Sequence, residues 1–285
     1  MNKKIRKRKK TGAGTVVSAL VNVMIAALSV FCLFPVAWML YSSVKDEAAF
    51  KRNIVGLPTE FHFENYAAAI KTGKMDIAFV NSVLVSVTAV AILIFIAFMA
   101  GVIFARYTFK GKMLLYTMFL SGMLIPVHSL LIPVFIELKF FSLINNRFVL
   151  ALIYTAFGLP KAIFLVTTFA ATIPREIEEA VIMDGGSMFD IFFKVFLPIS
   201  KPVLSTVTIL SFLDAWNEFP FSLILMGKPE LKTLPIALTY FTGQHSVQYT
   251  PMMAGLTIAT LPVVVIYFIF HKKIMEGMVA GSVKG

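Results

Sequence analysis

Charged residues are scarce in this chain of 285 residues. Only 14% of the residues are Asp, Glu, Lys or Arg, whereas 58% are hydrophobic, and the mean hydropathy is +0.84. So few polar side chains cannot coat a particle dissolved in water. The composition therefore excludes an ordinary soluble protein.

Cysteine is almost absent as well, because Cys32 is the only one and lies within an apolar run. A single cysteine excludes an intrachain disulfide framework. The four scattered histidines form no cluster with the spacing of a zinc site, and the sequence has no Gly-rich phosphate loop followed by Lys and Ser or Thr. We therefore expect neither a metal site nor a nucleotide site nor catalytic residues in this chain.

Long apolar runs are what the chain does contain. Each of six runs reaches or approaches the roughly 20 residues that carry a helix through about 30 Å of hydrocarbon. Every backbone donor must be paired in lipid, and the runs lack the alternation of barrel strands. We therefore predict an all-α integral membrane protein with six transmembrane helices. The predicted spans are residues 16–41, 80–104, 113–136, 148–172, 203–226 and 252–270.

Basic residues predict the orientation of these helices. Seven Lys and Arg side chains lie within residues 1–14, and the cytoplasmic ends of membrane helices carry such an excess. With six spans, the alternation of sides puts sixteen Lys and Arg residues in the cytosol and nine outside. We therefore predict a cytosolic tail at 1–15, one transmembrane domain at 16–271 and a second cytosolic tail at 272–285.

The net charge of +11 has the same explanation. The positive charges cluster at helix ends, where anionic lipid headgroups lie. We expect contacts with membrane lipid and none with nucleic acid.

A polar segment at residues 173–202 separates the fourth span from the fifth. Pro174 suits a first helical turn, and three glutamates follow it where the helix dipole favours negative charge. Gly185 and Gly186 predict a left-handed helix end. Ser187, with a carboxylate three residues later, predicts a capping box that opens a second short helix, which Pro198 is expected to close.

The first of these short helices carries an apolar stripe with a carboxylate at its end. Ile177, Ala180, Val181 and Asp184 lie at i, i+3, i+4 and i+7, which places them on one face. Such a face either packs on the protein's own inner helix ends or docks into a groove of another protein. The pattern alone leaves both interpretations open.

The segment EAVIMDGGSMFDIFFKVFLP closely resembles the EAA loop of bacterial ABC-importer permeases, and we call residues 173–202 the EAA loop. That loop has the pattern E-A-A, three residues, Gly, nine residues and I-x-L-P, and the spacing here fits without a gap. Val181 and Val195 depart from the pattern by mild changes in size. The matching positions are Glu179, Ala180, Gly185, Leu197 and Pro198.

The ending EGMVAGSVKG looks like the Gly-rich terminus of the carbohydrate-uptake, maltose-permease-like branch of that family. The stretches PTEFHFENY and DAWNEFPF are similar too, so the resemblance covers nearly the whole chain in order. It implies a multi-pass permease subunit in the bacterial cell membrane that moves a sugar or oligosaccharide.

The resemblance also implies partners. They are an extracytoplasmic solute-binding protein that delivers sugar, a second permease subunit, expected to be a different chain, and two ATP-binding subunits that hydrolyse ATP. The EAA loop would be the coupling helix seated in an ATPase groove, with Glu179 and Gly185 as its key residues. Asp184 is expected to act in the same contact.

Polar residues at membrane depth are costly and usually face a bundle interior or a wet cavity. Asp214, Asn217 and Glu218 surround Trp216 and lie at i, i+3 and i+4, on one helical face. Sugar recognition pairs hydrogen bonds with an aromatic surface, and this stretch has both kinds of group. The face either lines a sugar pathway or forms polar contacts between helices or at a solvated outer end.

Two further residues in the predicted spans stand out. Lys161 follows Pro160 near the middle of the fourth span, where it either pairs with Asp214 or Glu218 or meets an anionic group of a sugar derivative. His128 is expected to be a packed or hydrogen-bonded residue with no ligand role.

Three other kinds of membrane protein are alternatives to an importer. A secondary transporter would show paired internal repeats and sites for coupling ions, and neither is evident. A membrane-embedded enzyme would need Asp214, Glu218 and His128 to converge on a reacting atom, and no catalytic signature is recognisable. A scaffolding protein would leave the EAA loop without a nucleotide-dependent partner.

Overall fold

The computed structural model describes residues 12–243 and 247–282, and the regular secondary structure in those ranges is helical. Within them there is no β-strand, and the only extended pairing is an isolated bridge between Thr242 and Val247. The predicted all-α class is therefore confirmed. The α-helices are α1 (Gly12–Ser42), α2 (Glu47–Arg52), α3 (Glu64–Gly73), α4 (Met75–Arg106), α5 (Lys112–Ser121), α6 (Leu131–Phe140), α7 (Arg147–Ala170), α8 (Glu176–Met183), α9 (Leu197–Ile199), α10 (Lys201–Trp216), α11 (Pro220–Leu225), α12 (Leu234–Ala237) and α13 (Tyr249–Ser282).

Four of these helices, α1, α4, α7 and α13, are long and apolar enough to cross a membrane. Two further crossings would be bent: Lys112–Leu124 meets Val127–Phe140 at 93°, and Asp190–Ile199 meets α10 at 71°. The described residues thus contain four to six candidate spans. The predicted number of six requires that each bent pair counts as one span.

The predicted third and fifth spans are not continuous helices. In the third, the backbone is extended at Ile125 and Pro126, since a residue before proline is driven out of the helical region. In the fifth, α10 ends at Trp216 and α11 starts at Pro220. The apolar runs at 113–136 and 203–226 therefore each contain a break between helices, where one continuous helix was predicted.

The helices at the two chain ends extend beyond the predicted first and sixth spans. The last helix continues to Ser282, so residues 272–282 are helical and only 283–285 of the predicted tail lie outside the described residues. Of the predicted tail at 1–15, residues 1–11 lie outside them, and α1 begins at Gly12.

The core of the molecule is the pairing of α4 with α7. A Cβ added to Gly101 of α4 would lie 2.5 Å from Val166, and one added to Gly158 of α7 would lie 2.4 Å from Leu93. Small residues at such points let two membrane helices approach closely. The π-helical segment after α8 and the helix α10 pack against this pair.

The first helix stands apart from that core. None of its apolar span is buried inside the chain, and Cys32 is exposed on it. At its end, the segment after Ser42 folds back over α13, where Glu47 accepts hydrogen bonds from the backbone N–H groups of Tyr249 and Thr250. The carboxylate thus caps the first turn of α13, where the helix has unpaired donors.

Candidate functional site

The EAA loop begins with α8, and a glycine pair ends that helix. Gly185 has φ of +78°, its N–H donates to the carbonyl of Ile182 at 3.0 Å, and the N–H of Gly186 donates to Val181 at 2.8 Å. These two bonds form a Schellman motif, which satisfies carbonyls at a helix end and needs a left-handed residue. The predicted helix stop at this pair is therefore present.

A capping box opens the second half of the loop. The carboxylate of Asp190 accepts from the Ser187 N–H at 2.8 Å and from its hydroxyl at 2.6 Å, and the N–H of Asp190 donates to that hydroxyl oxygen at 3.3 Å. Lys194 lies 2.6 Å from the same carboxylate. Together, Lys194 first and Ser187 second hold the pKa of Asp190 well below its usual range.

The second half of the loop ends one residue beyond Pro198, the predicted closing position. A π-helical segment at Asp190–Phe196 runs directly into α9, and Pro198 lies in the first turn of α9. α9 ends at Ile199, and Ser200 separates it from α10. Leu197 is half-buried and Pro198 is exposed.

The predicted stripe on α8 divides between two surroundings. Ile177 and Val181 pack against the buried cluster between α4 and α7, whereas Ala180 and Asp184 are exposed. Packing on the chain's own helix ends therefore accounts for half of the stripe. Glu179 is exposed with Ala180 and Asp184.

An exposed apolar surface lies beside those residues, and the stripe did not predict it. We call it the apolar face of the EAA loop. Apolar side chains so exposed on a polar loop are typical of an interaction surface. Its members, with their exposed fractions, are Ile182 (60%), Met183 (86%), Met188 (53%) and Phe189 (76%).

A cavity of about 710 Å³ lies where the bend after Leu124, α7 and the break between α10 and α11 meet. Non-helical backbone at membrane depth is tolerated where it borders such a space. We call it the central cavity. Its lining includes Met123, His128, Tyr154, Phe157, Lys161, Asp214, Asn217 and Glu218.

In the central cavity, Lys161 pairs with Asp214. Nζ of Lys161 lies 2.5 Å from Oδ2 of Asp214, and the side chains remain 38% and 65% exposed. Of the interpretations that the sequence left open, the structure places Lys161 in an ion pair across α7 and α10.

Glu218 has a different arrangement from Asp214. Its carboxylate accepts hydrogen bonds from the N–H groups of Phe221 at 2.7 Å and Ser222 at 3.1 Å, and from the Tyr154 hydroxyl at 2.5 Å. It therefore caps the start of α11 and binds that start to α7. The exposed Asn217 beside it donates to the carbonyl of Leu213 at 2.9 Å.

Trp216 does not line the central cavity. It is only 3% exposed, its indole N–H donates to the carbonyl of Ala259 at 3.1 Å, and it packs on Phe79 and Phe212. Two residues along a helix turn the side chain by roughly 200°, so Trp216 and Asp214 point apart. The aromatic residues on the lining of the cavity are instead Tyr154, Phe157, Phe219 and Phe221.

Most of the residues that α7 and the predicted third span contribute to the cavity lining were not predicted from the sequence. His128, which was expected to have no ligand role, lies on the lining just after the bend at Pro126. The prolines carried a signal, because a proline in an apolar run marks a possible break. Among the residues that the structure describes, no three His, Cys, Asp or Glu side chains are placed to hold a metal ion.

Comparison with known proteins adds a family match over most of the folded chain. Residues 94–278 match the model of a family described as "Binding-protein-dependent transport system inner membrane component". The probable ABC transporter permease protein YurM of Bacillus subtilis (strain 168) is 32% identical over 252 residues, which is 88% of this chain and 84% of that protein.

A second relative and a solved structure agree with that match. The diacetylchitobiose uptake system permease protein NgcG of Streptomyces coelicolor is 30% identical over 267 residues, covering 93% of this chain and 88% of NgcG. A chain in the crystal structure of a bacterial ABC transporter that imports the acidic polysaccharide alginate superposes with a TM-score of 0.82 at 20% identity, covering 93% of this chain and 99% of that one. At that identity the superposition shows a shared fold.

Proposed function

Since the chain belongs to the binding-protein-dependent transport system inner membrane components and is a carbohydrate-uptake ABC permease, we propose that its EAA loop docks an ATPase subunit and that its central cavity forms part of a sugar pathway. Membership of the family places the chain among multi-pass membrane permeases of bacteria and not among enzymes. The alternatives of a membrane-embedded enzyme and of a secondary transporter are thereby set aside.

The observation that carries the docking proposal is the exposed apolar face of the EAA loop. Met183 and Phe189 have exposed fractions of 86% and 76%, and the exposed carboxylates of Glu179 and Asp184 lie on the same loop. A short helix with apolar side chains at its tip and acids at its margin fits a groove with a hydrophobic floor and basic rim. ATP would be bound by that partner, and this chain would need no cofactor.

The central cavity supplies the pathway proposal. Asp214 and Asn217 border it, and both are exposed. The phenyl ring of Phe157 offers an apolar surface next to these polar groups. This combination suits a sugar, which presents hydroxyl groups at its edge and C–H groups on its face. NgcG is named for diacetylchitobiose uptake, and we propose a sugar or oligosaccharide as the substrate class here.

The remaining partners follow from the same proposal. We propose that six spans place both termini in the cytosol and the EAA loop at 173–202 on the cytosolic side. A second permease subunit, expected to be a different chain, would complete the pathway. An extracytoplasmic solute-binding protein would deliver sugar to the opposite side, near the segment that joins α1 to α4.

The docking proposal is tested by co-purification of the complete transporter. Wild-type protein is expected to retain its ATPase subunit in detergent, and Glu179→Lys and Met183→Asp are expected to lose it, because each change introduces an unfavourable charge into the contact. Glu137→Lys is the control, since it makes the same charge reversal at an exposed position on α6. Retention of the ATPase by both EAA-loop variants, with normal membrane insertion, would refute the docking role.

A further inference from the structure

Arg106, the last residue of α4, is almost completely enclosed by the EAA loop. Its side chain is only 6% exposed, and its Nε lies 2.8 Å from Oε1 of Glu178, whose side chain is 16% exposed. Its terminal NH2 group donates to the carbonyl of Ile173 and, at 3.4 Å, to that of Pro174. The guanidinium also lies over the ring of Phe196, at 5.1 Å from the ring centroid.

These contacts join four separate parts of the chain through one side chain. Arg106 belongs to α4, Ile173 lies just after α7, Glu178 belongs to α8 and Phe196 ends the π-helical segment of the loop. The guanidinium therefore contacts both halves of the EAA loop and the end of α7. Few other side chains can do this, because a guanidinium has five donors in a planar fork and a face that stacks on an aromatic ring.

The two adjacent glutamates on α8 have different surroundings. Glu178 points inward to Arg106, whereas Glu179 is exposed. A buried guanidinium that loses its carboxylate is left with an uncompensated charge, so Arg106 and Glu178 are expected to stay paired. The pair holds α8 against the inner end of α4.

We propose that Arg106 is a positioning residue that makes the EAA loop and α4 move as one rigid body, so that displacement of the loop is transmitted to the core pair of α4 and α7. The proposal rests on the proposed function, in which an ATPase moves the EAA loop. It assigns to Glu178 and Arg106 the transmission of movement, and to Glu179 and its exposed neighbours the docking contact.

The test measures a distance within the chain in the assembled transporter. Cys32 is replaced by Ser, and spin labels are attached at Val87→Cys, on an exposed position of α4, and at Arg175→Cys, at the exposed start of α8. Val87 lies roughly 29 Å along α4 from Arg106. A distance of this size is within the range of pulsed electron–electron double resonance. Distance distributions are recorded without nucleotide and after trapping with ATP and vanadate.

In the otherwise wild-type transporter the distribution is expected to be narrow and to have the same centre in both states. Glu178→Gln removes the ion pair while keeping the side-chain shape, and Arg106→Met removes all the contacts. Both are expected to broaden the distribution about twofold or to shift it between states, because the loop then moves independently of α4. Glu176→Gln removes a charge from the same helical turn and is expected to match wild type.

Each outcome decides the proposal. A narrow, unshifted distribution in Glu178→Gln would overturn it, and so would a shift between states in the wild-type background. Loss of the ATPase from Glu178→Gln would also overturn it, since Glu178 would then be a docking residue. If Arg106→Met fails to insert, Glu178→Gln alone decides. If wild type binds no ATPase, the proposed function fails. The width of the distance distribution in the isolated permease still tests whether Arg106 holds the EAA loop against α4.

Discussion

At the lining of the central cavity, the hydroxyl of Tyr154 on α7 donates a hydrogen bond to the carboxylate of Glu218, at 2.5 Å. The same carboxylate accepts from two N–H groups at the start of α11. One acidic side chain thus holds the break between α10 and α11 in place. Since three donors already bind the Glu218 carboxylate, its role in the cavity is structural, and it is not a free ligand for sugar.

Replacement of Tyr154 by Phe tests this arrangement. Tyr154→Phe should lower the free energy of unfolding in detergent by about 2 kcal/mol, because a hydrogen bond to a charged acceptor is lost. Tyr240→Phe is the matched control: the Tyr240 hydroxyl is buried and has no hydrogen-bond partner in the described part of the chain, so its removal should cost little. Equal effects of the two changes in a denaturant titration would contradict the role of Tyr154.

The pair of Lys161 and Asp214 predicts non-additive substitutions. Lys161→Met or Asp214→Asn alone leaves one member of the ion pair without its partner, whereas the double variant removes both members. The double variant should therefore be more stable than the two separate losses suggest. Because both side chains are more than a third exposed, the coupling energy should stay below about 1 kcal/mol.

Sugar uptake by the same three variants separates the two interpretations of Lys161. If Lys161 serves only the pair, the double variant recovers uptake that the single variants lose. If Lys161 contacts an anionic group of the substrate, uptake stays lost in the double variant, whatever its stability. Uptake of radiolabelled sugar into proteoliposomes distinguishes these outcomes.

The glycine pair of the EAA loop predicts an order of effects. A Cβ on Gly185 would have nothing within 4 Å, so Gly185→Ala should cost only the backbone strain of φ +78°, about 1 kcal/mol. A Cβ on Gly186 would lie 2.5 Å from Val181 Cγ1 and 2.8 Å from its carbonyl oxygen. Gly186→Ala should therefore increase local opening of α8 more than Gly185→Ala does. Gly185→Asn should increase it least, because asparagine tolerates the left-handed region.

Hydrogen exchange of the peptide that contains α8 measures this order, since local opening exposes its amides. Exchange that is fastest in Gly185→Asn would contradict the left-handed helix end. Separately, Gly185→Asp is expected to abolish transport while the protein remains inserted, because a carboxylate would enter the proposed docking contact. Normal uptake by that variant would count against docking.

His62, in the loop between α2 and α3, predicts a pH effect outside the predicted spans. The Glu64 carboxylate, 2.6 Å from Nδ1, raises the pKa of His62 above its ordinary value, and the charges of Asp46 and Glu60 act in the same direction. The charged pair therefore contributes stability below the ordinary histidine pKa, and this contribution is lost as pH rises through the raised value.

Glu64→Gln should lower the pKa of His62 in an NMR titration of the solubilised protein. Glu60→Gln is the control, and it should lower that pKa less, because Glu60 lies 3.8 Å from the ring and acts through charge alone. A larger effect of Glu60 than of Glu64 would show that the hydrogen bond is not the main cause.

Local features of the EAA loop were predictable because they depend on neighbouring residues. The left-handed helix end at Gly185 and the reciprocal bonds of Ser187 and Asp190 follow from backbone sterics and from a spacing of three residues. The position of Trp216 opposite Asp214 was predictable in principle as well, from the rotation per residue of a helix.

By itself, the sequence determined the helical class, the membrane setting, the family and the ends of the short helices, since each depends on composition or on contacts over a few residues. Only the tertiary structure decided that Glu178 pairs with Arg106 while Glu179 stays exposed, that Lys161 meets Asp214, and that the predicted third and fifth spans break around a cavity. Those contacts join residues that lie tens of positions apart. They depend on how α4, α7 and α10 pack, and no local pattern encodes that packing.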